Sequence, residues 1–139
     1  MSDEHNSIFL ECPRCGTTGA LRIGQSVHRG KLRWYETVNC ANCGLRSEAD
    51  GLGFPAENIR LKIIEKAGLW QVAMGTPAML PSFVKTIRDA LGMESLDAMR
   101  VAKSLPGPVY AGTHSEVQWL GALLSDTGES PQIERLSNA

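Results

Sequence analysis

The chain has 139 residues, of which 42% are apolar and 21% are charged, and its formal net charge is −1. This length allows one ordinary core or two small ones, and no apolar run approaches the length of a membrane span. The near-neutral charge gives no global attraction to nucleic acid or to an anionic membrane, so any such attraction has to come from a local patch.

The first eight residues, 1–8, are predicted to form a disordered tail. They are short, polar and acidic, and this composition does not fit a secretory signal peptide. We therefore expect a cytoplasmic protein, in a compartment that keeps thiols reduced.

All four cysteines lie in two copies of one motif, Cys-x-x-Cys-Gly, at 12–16 and 40–44. Two thiolates separated by two residues can reach one metal ion from a tight turn, and two such turns supply a closed tetrahedral zinc site. Two disulfides or four unrelated thiols are the alternatives, and a reducing compartment favours the metal. The sequence predicts one structural Zn²⁺ bound by Cys12, Cys15, Cys40 and Cys43.

The segment between the two motifs predicts an antiparallel hairpin. Residues 20–23 and 31–38 carry strand-type side chains in partly alternating order, with a bend at 28–31. Paired cysteine turns joined by a hairpin resemble the zinc-ribbon family, and we assign residues 9–50 to such a ribbon. Zinc ribbons bind nucleic acids, bind proteins or only stabilise a fold. The resemblance therefore implies a metal site and a fold but no particular function.

Several basic residues lie on this hairpin, and two aromatic residues are close to them in the sequence. Such residues could form a small surface that contacts phosphates and stacks on bases. The interpretation we favour is an ordinary solvated strand face with its aromatic residues packed near the metal, because so few charges attract nucleic acid only weakly. The nucleic-acid-binding candidates are Arg22, Arg29, Lys31, Arg33 and Trp34.

Two glycines and a proline within Gly51–Pro55 predict a break in regular structure and a boundary between two units. A helix is then predicted over 57–67, with three isoleucines on one side. We therefore assign residues 51–68 to a linker and helix, and residues 69–139 to a second domain.

The second domain shows alternating strand and helix patterns. The predicted elements are a strand at 69–74, helices capped by Ser82 and by Ser95, a strand at 109–111, a helix opened by the capping box Thr113–Glu116, and a strand at 132–136. The predicted fold class is α+β: a small β zinc ribbon followed by an α/β sandwich, whose helices cover one face of a three-stranded sheet.

This element order resembles the C-terminal domain of the bacterial ribosomal stalk protein, and the Clp-protease adaptor is similar in fold, so the module is ClpS-like. The resemblance rests on the run Val84-Lys85-Thr86-Ile87-Arg88, on Gly92, and on Val109–Gly112. In the stalk family this domain recruits translational GTPases through the basic face of its first two helices. The resemblance therefore implies partner-binding roles for Val84, Lys85 and Arg88.

The chain also departs from the stalk pattern. Met99 stands where the family tends to carry a lysine, Pro81 replaces an apolar helix residue, and Asp89 and Asp97 make the face more acidic. The dimerisation segment and hinge that tether the stalk protein to the ribosome are replaced by the ribbon. A true stalk subunit is not expected.

An enzyme is not predicted. No carboxylate pair has a spacing that indicates acid–base work, no glycine-rich loop fits a phosphate site, and the cysteines are assigned to zinc. We expect a protein-binding module, either an adaptor or an immunity-type protein, that docks a protein partner through its C-terminal domain. The alternative is a nucleic-acid-binding zinc ribbon of a transcription or translation accessory factor. No membrane and no small-molecule substrate are expected as partners.

Overall fold

The computed structural model describes residues 7–136, which form an α+β fold with two antiparallel sheets. The N-terminal unit contains β1 (Ser7–Leu10), β2 (Leu21–His28), β3 (Lys31–Asn39), β4 (Arg46–Leu52) and α1 (Glu57–Ala67). The C-terminal unit contains β5 (Trp70–Met74), α2 (Leu80–Leu91), α3 (Ser95–Ser104), β6 (Gly107–Gly112), α4 (His114–Asp126) and β7 (Gln132–Arg135). The strand orders are β1-β2-β3-β4 and β6-β5-β7, which confirms the α+β class and the three-stranded sheet. No helix within 7–136 is long and apolar enough to cross a membrane.

The predicted hairpin is the centre of the first sheet. β2 and β3 pair from Leu21 opposite Val38 to His28 opposite Lys31, and the turn lies between them. The structure adds β1 and β4 on the two edges, which the sequence pattern did not predict. β4 continues through Gly51, where a break was expected. A Cβ atom at this position would lie 2.7 Å from Nε1 of Trp34, so glycine makes room for the indole inside a strand.

The predicted linker helix contributes to the core of the N-terminal unit. Ile59 and Ile63 of α1 are buried against apolar side chains of the sheet, including Ile23 of β2. Full burial of such a side chain stabilises a fold by about 1.5–3 kcal/mol. Two of the four cysteines, Cys12 and Cys40, are buried in the same cluster. The metal-ligand candidates and α1 therefore share one small core.

The C-terminal unit has its own core, which lies between the helices and the second sheet and includes Val72, Phe83 and Leu120. The capping box at Thr113 and Glu116 is present, as predicted. The expected caps of the two preceding helices are wrong. α2 begins at Leu80, before Ser82, because a proline in the first turn loses no helical hydrogen bond. Ser95 is the first residue of α3, whose N-cap is the preceding glutamate.

Candidate functional site

The two Cys-x-x-Cys-Gly motifs form turns with the same hydrogen-bond pattern. In each, the amide of the first cysteine donates to the carbonyl five residues later, at 2.8 and 3.0 Å. The glycine amide donates back to the carbonyl of the first cysteine, at 2.9 Å in both turns. Gly16 and Gly44 have φ angles of 83° and 80°, a region that favours glycine. The sequence repeat is therefore a structural repeat.

The repeated turns bring the four sulfur atoms together. All four Sγ atoms lie within 4.8 Å of one another. The Cys12 and Cys43 sulfurs are 3.7 Å apart, and the Cys15 and Cys40 sulfurs are 3.5 Å apart. Sulfurs bound tetrahedrally at about 2.3 Å from one zinc are separated by about 3.8 Å, so these spacings fit a single ion. The four cysteines form a candidate site for one metal ion such as zinc.

Hydrogen bonds to two of the four sulfurs, those of Cys15 and Cys40, favour the thiolate form. At Cys43 a backbone hydrogen bond from Leu45 acts in the same direction, but burial and the neighbouring thiols of Cys15 and Cys40 raise the pKa of that thiol. The Thr17 hydroxyl lies 3.0 Å from Cys15 Sγ, and the Asn42 amide donates to the same sulfur at 3.5 Å. These contacts, the Thr17 hydroxyl first, lower the pKa of Cys15 to about 5. The backbone N–H of Cys43 donates to the Cys40 sulfur and lowers the pKa of that thiol. Because only the thiolate binds metal, these contacts prepare the site for an ion at neutral pH.

A second cluster, formed by buried polar side chains, joins the two units of the chain. Its centre is Glu116 on α4, which is 0% exposed and whose carboxylate accepts five hydrogen bonds. The donors are Arg60 Nε (2.7 Å) and Nη2 (2.9 Å), Gln25 Nε2 (2.8 Å), the Tyr110 hydroxyl (2.9 Å) and the Thr113 amide (3.1 Å). The Thr113 hydroxyl also donates to the side-chain amide oxygen, Oε1, of Gln25. We call these five residues the Glu116 cluster.

The Glu116 cluster holds its central carboxylate in the charged form. Burial alone favours the neutral acid, but the hydrogen bonds from Arg60 and Gln25 outweigh it and hold the pKa of Glu116 below its ordinary value. Burial, together with the nearby carboxylate, raises the pKa of Tyr110, which stays neutral. The cluster is therefore a largely buried ion pair of Arg60 and Glu116, whose carboxylate also accepts hydrogen bonds from three neutral donors.

The sequence pattern identified only part of the Glu116 cluster. Glu116 was recognised as a capping-box residue, while Gln25, Arg60 and Tyr110 were not singled out. Gln25 and Glu116 are separated by 91 positions. The sequence holds one further signal for this cluster. Gln25 is a polar residue in a strand, and its neighbours on the same face of that strand are apolar.

The three candidates for partner binding lie together on the outer side of α2. Val84, Lys85 and Arg88 line a depression of about 370 Å³ that reaches Leu80 and Met99. The ammonium group of Lys85 pairs with Asp89 at 2.7 Å, and Arg88 donates to the Ser95 hydroxyl at 2.9 Å. We call this depression the docking patch.

The nucleic-acid candidates are divided between two faces of the first sheet. The strand register places Arg22 and Arg33 on the outer face, and Lys31 is the first residue of β3, in the last pair before the turn. Trp34 lies on the opposite face, where it packs against the N-terminal core. Arg29 occupies the turn between β2 and β3, with a φ of 52°. The cations are therefore separated from the tryptophan that was expected beside them.

Two other aromatic side chains lie on this outer face. The Arg22 guanidinium is 5.1 Å from the ring centre of Tyr35 and 5.9 Å from that of Phe9, and Phe9 is 62% exposed. The register also places Glu48 and Asp50 of β4 on the same face. The face therefore carries charges of both signs around an arginine held between aromatic rings.

No protein-family model, curated protein or solved structure matches this chain. A function for it therefore has to follow from its own residues and their geometry.

Proposed function

We propose that this protein is a non-enzymatic, zinc-containing module that binds a protein partner through the docking patch. The observation that carries the proposal is a concentration of exposed apolar side chains on α2 and α3, bordered by two cations. Leu80, which is 43% exposed, lines the depression together with Val84 and Met99, and Lys85 and Arg88 line it as well. Contiguous exposed apolar surface with a polar rim is typical of interaction sites.

We assign the four-cysteine site to one structural Zn²⁺ in a zinc ribbon. Four sulfur ligands leave no open position for water or substrate, which supports a role in folding rather than in catalysis. Cys12 and Cys40 are also buried among the apolar side chains of the N-terminal unit. A bound ion would therefore connect both cysteine turns to a core that is small for independent folding.

The element order β5-α2-α3-β6-α4-β7 supports the resemblance to the stalk C-terminal domain. The clustering of Val84, Lys85 and Arg88 supports a docking role for the corresponding surface. Two cations at the patch, Lys85 and Arg88, share one neighbouring carboxylate, Asp89, which leaves the rim with a net positive charge. We therefore expect the partner to present apolar side chains flanked by a carboxylate. An adaptor that docks on a larger assembly and an immunity-type protein that caps a toxin both fit this role in the cytoplasm.

Val84→Asp and Arg88→Glu are each expected to abolish binding of the partner. Each change puts a negative charge in or beside the apolar surface, and hot-spot losses of about 2 kcal/mol or more correspond to roughly 30-fold weaker binding. The measurement is affinity capture of the tagged full chain from nuclease-treated lysate of its own cells, with the bound proteins quantified by mass spectrometry.

The matched controls for this capture are Leu61→Asp and Lys62→Glu, which make the same changes at exposed positions of α1. The controls should retain a stoichiometric partner, and circular dichroism should show that all four variants are folded. A partner that stays bound to both patch variants would rule out the docking patch as its site.

A second candidate function, binding of single-stranded nucleic acid, is favoured by the outer face of the first sheet. Arg22 lies between Phe9 and Tyr35 there, and aromatic rings beside cations on an open sheet can stack with bases and contact phosphates. Glu48 and Asp50 on the same face reduce its attraction for phosphate. The docking patch is therefore the better-supported site.

The nucleic-acid candidate predicts that the full chain binds a fluorescein-labelled 12-nucleotide RNA, with an affinity that falls steeply between 50 and 200 mM salt. The double variant with Arg22→Glu and Arg33→Glu should then bind at least about 10-fold more weakly, because two phosphate contacts become repulsive. The measurement is fluorescence anisotropy. Equal affinities of the double variant and the unmodified protein would exclude this face as an RNA-binding site.

A further inference from the structure

An open groove of about 480 Å³ lies where the two units meet, and neither proposed function uses it. One wall comes from the N-terminal unit, at the β2–β3 turn and the end of β4, and includes Lys31 and Leu52. The other wall comes from α2 and α4 and includes Thr86, Ala90 and Trp119. Its volume is within the range of ligand-binding clefts, about 300–1,000 Å³. We call it the inter-unit groove.

The aromatic wall of the inter-unit groove is fixed in place by both units. Nε1 of Trp119 donates to the Gly30 carbonyl oxygen at 3.1 Å, across the junction. The edge of Phe54 meets the same indole at a ring-centre distance of 5.7 Å. A side chain that is already ordered loses little entropy when a ligand packs on it, so this wall is preorganised for binding.

The inter-unit groove offers one uncommitted positive charge. Within residues 7–136, the Lys31 ammonium group has no hydrogen bond or ion pair. Asp89 also lines the groove, but its carboxylate is 2.7 Å from Lys85 Nζ and 3.9 Å from Arg88 Nε. The acid is therefore largely neutralised by cations of its own helix. A ligand in the groove would meet apolar walls and a single available cation.

We propose that the inter-unit groove binds a short apolar peptide segment of a protein partner, with a carboxylate of that segment at Lys31. Apolar side chains of the segment pack on Trp119 and Leu52, and the carboxylate makes a charge-assisted hydrogen bond with the ammonium group. A peptide fits the site better than a small molecule, because an open groove does not enclose most of a small ligand's surface.

This inference rests on the proposed protein-binding function and extends it to a second contact area. The docking patch and the inter-unit groove lie on different flanks of α2, since Val84, Lys85 and Arg88 line the former while Thr86 and Ala90 line the latter. A partner that covered the patch and also placed a peptide segment in the groove would hold α2 from both sides.

The probe for this inference is the tetrapeptide acetyl-Gly-Ala-Leu-Phe with a free C-terminal carboxylate. Its dissociation constant is measured with the full chain by NMR titration, following the Trp119 indole N–H signal, which is identified by its absence in Trp119→Phe. The C-terminal amide of the peptide is expected to bind about 3- to 5-fold more weakly, as an exposed ion pair contributes up to about 1 kcal/mol. A third peptide, acetyl-Gly-Glu-Leu-Phe-amide, tests whether a side-chain carboxylate serves instead.

Lys31→Met should abolish the difference between the acid and the amide. Arg29→Met removes a cation from the same turn without changing the groove lining, and it should leave the difference intact. Ala90→Trp fills the groove and should weaken every peptide at least 10-fold. Equal binding of the acid, its amide and the glutamate peptide to the unmodified protein, or no binding of any peptide, would overturn the inference.

Failure of this inference can be distinguished from failure of the proposed function. If no peptide binds while partner capture still depends on Val84 and Arg88, the inter-unit groove is not a site and the docking patch stands. If both patch variants retain the partner, the proposal that the docking patch binds it is wrong, whether or not the peptides bind to the groove.

Discussion

Cys40→Ser is expected to abolish metal binding and to destabilise the N-terminal unit by several kcal/mol. The Cys40 sulfur lies 3.5 Å from that of Cys15, and a serine hydroxyl at this position is a poor ligand for zinc. Structural zinc contributes about 10–16 kcal/mol in zinc-finger peptides at neutral pH, which is comparable to the whole stability of a small domain. Removing one of four ligands therefore removes most of what holds the two cysteine turns together.

The checks on Cys40→Ser are zinc content by atomic emission and thermal unfolding by circular dichroism. Zinc should fall from one equivalent to near zero, and the Tm should fall by about 15 °C or more, at about 3–5 °C per kcal/mol for a chain of this size. Treating the unmodified protein with a strong chelator should reproduce this Tm. Asn42→Ala, which removes only a hydrogen bond to Cys15, is the control and should retain the metal. A full zinc complement in Cys40→Ser would contradict the four-cysteine site.

The candidate metal site could be predicted from the sequence because its determinants are local. Each pair of ligands lies within one turn, the glycine that follows it permits the required φ, and the intervening hairpin places the two turns together. The helices of the C-terminal unit were predictable for a related reason, since apolar periodicity and a capping box operate over a few residues.

Features that depend on tertiary contacts were harder to predict from the sequence. Gly51 indicated a break, but its missing Cβ instead makes room for Trp34 within a strand. Arg60 has the appearance of a solvated helix residue, yet it pairs with a carboxylate 56 positions away. The first contact depends on the pairing of β3 with β4, and the second depends on how the two units pack on each other. No spacing rule within the chain specifies either arrangement.

Glu116→Gln is expected to lower the free energy of unfolding by about 3–5 kcal/mol, because the largely buried Arg60 guanidinium loses its buried anion and keeps only the exposed Glu57. The substitution keeps the size of the side chain but replaces one acceptor oxygen with an NH₂ group. That group would face the N–H groups of Arg60 or Gln25, so a donor would meet donors at a side chain that is buried. The measurement is urea unfolding at neutral pH with zinc present.

Glu57→Gln is the matched control for Glu116→Gln. Glu57 pairs with Nη1 of the same arginine at 2.8 Å, but its side chain is 66% exposed. Exposed ion pairs contribute about 0–1 kcal/mol, so this variant should lose no more than that. Equal losses in the two variants would show that the buried carboxylate has no special role in joining the units.

The pH dependence provides a further test of the Glu116 cluster. The pKa of Glu116 in the folded protein lies below its ordinary value, so its charged form contributes stability above the unfolded-state pKa, about 4.3. That contribution is lost as the pH falls through the folded pKa. The difference in stability between the unmodified protein and Glu116→Gln should thus be constant near neutrality and should narrow below about pH 4. Both proteins lose thiolate-bound metal alike in acid, so the difference between them isolates the carboxylate. A difference that persisted unchanged at low pH would mean that the glutamine variant is destabilised by altered packing, and that the buried ion pair between α1 and α4 does not stabilise the contact between the two units.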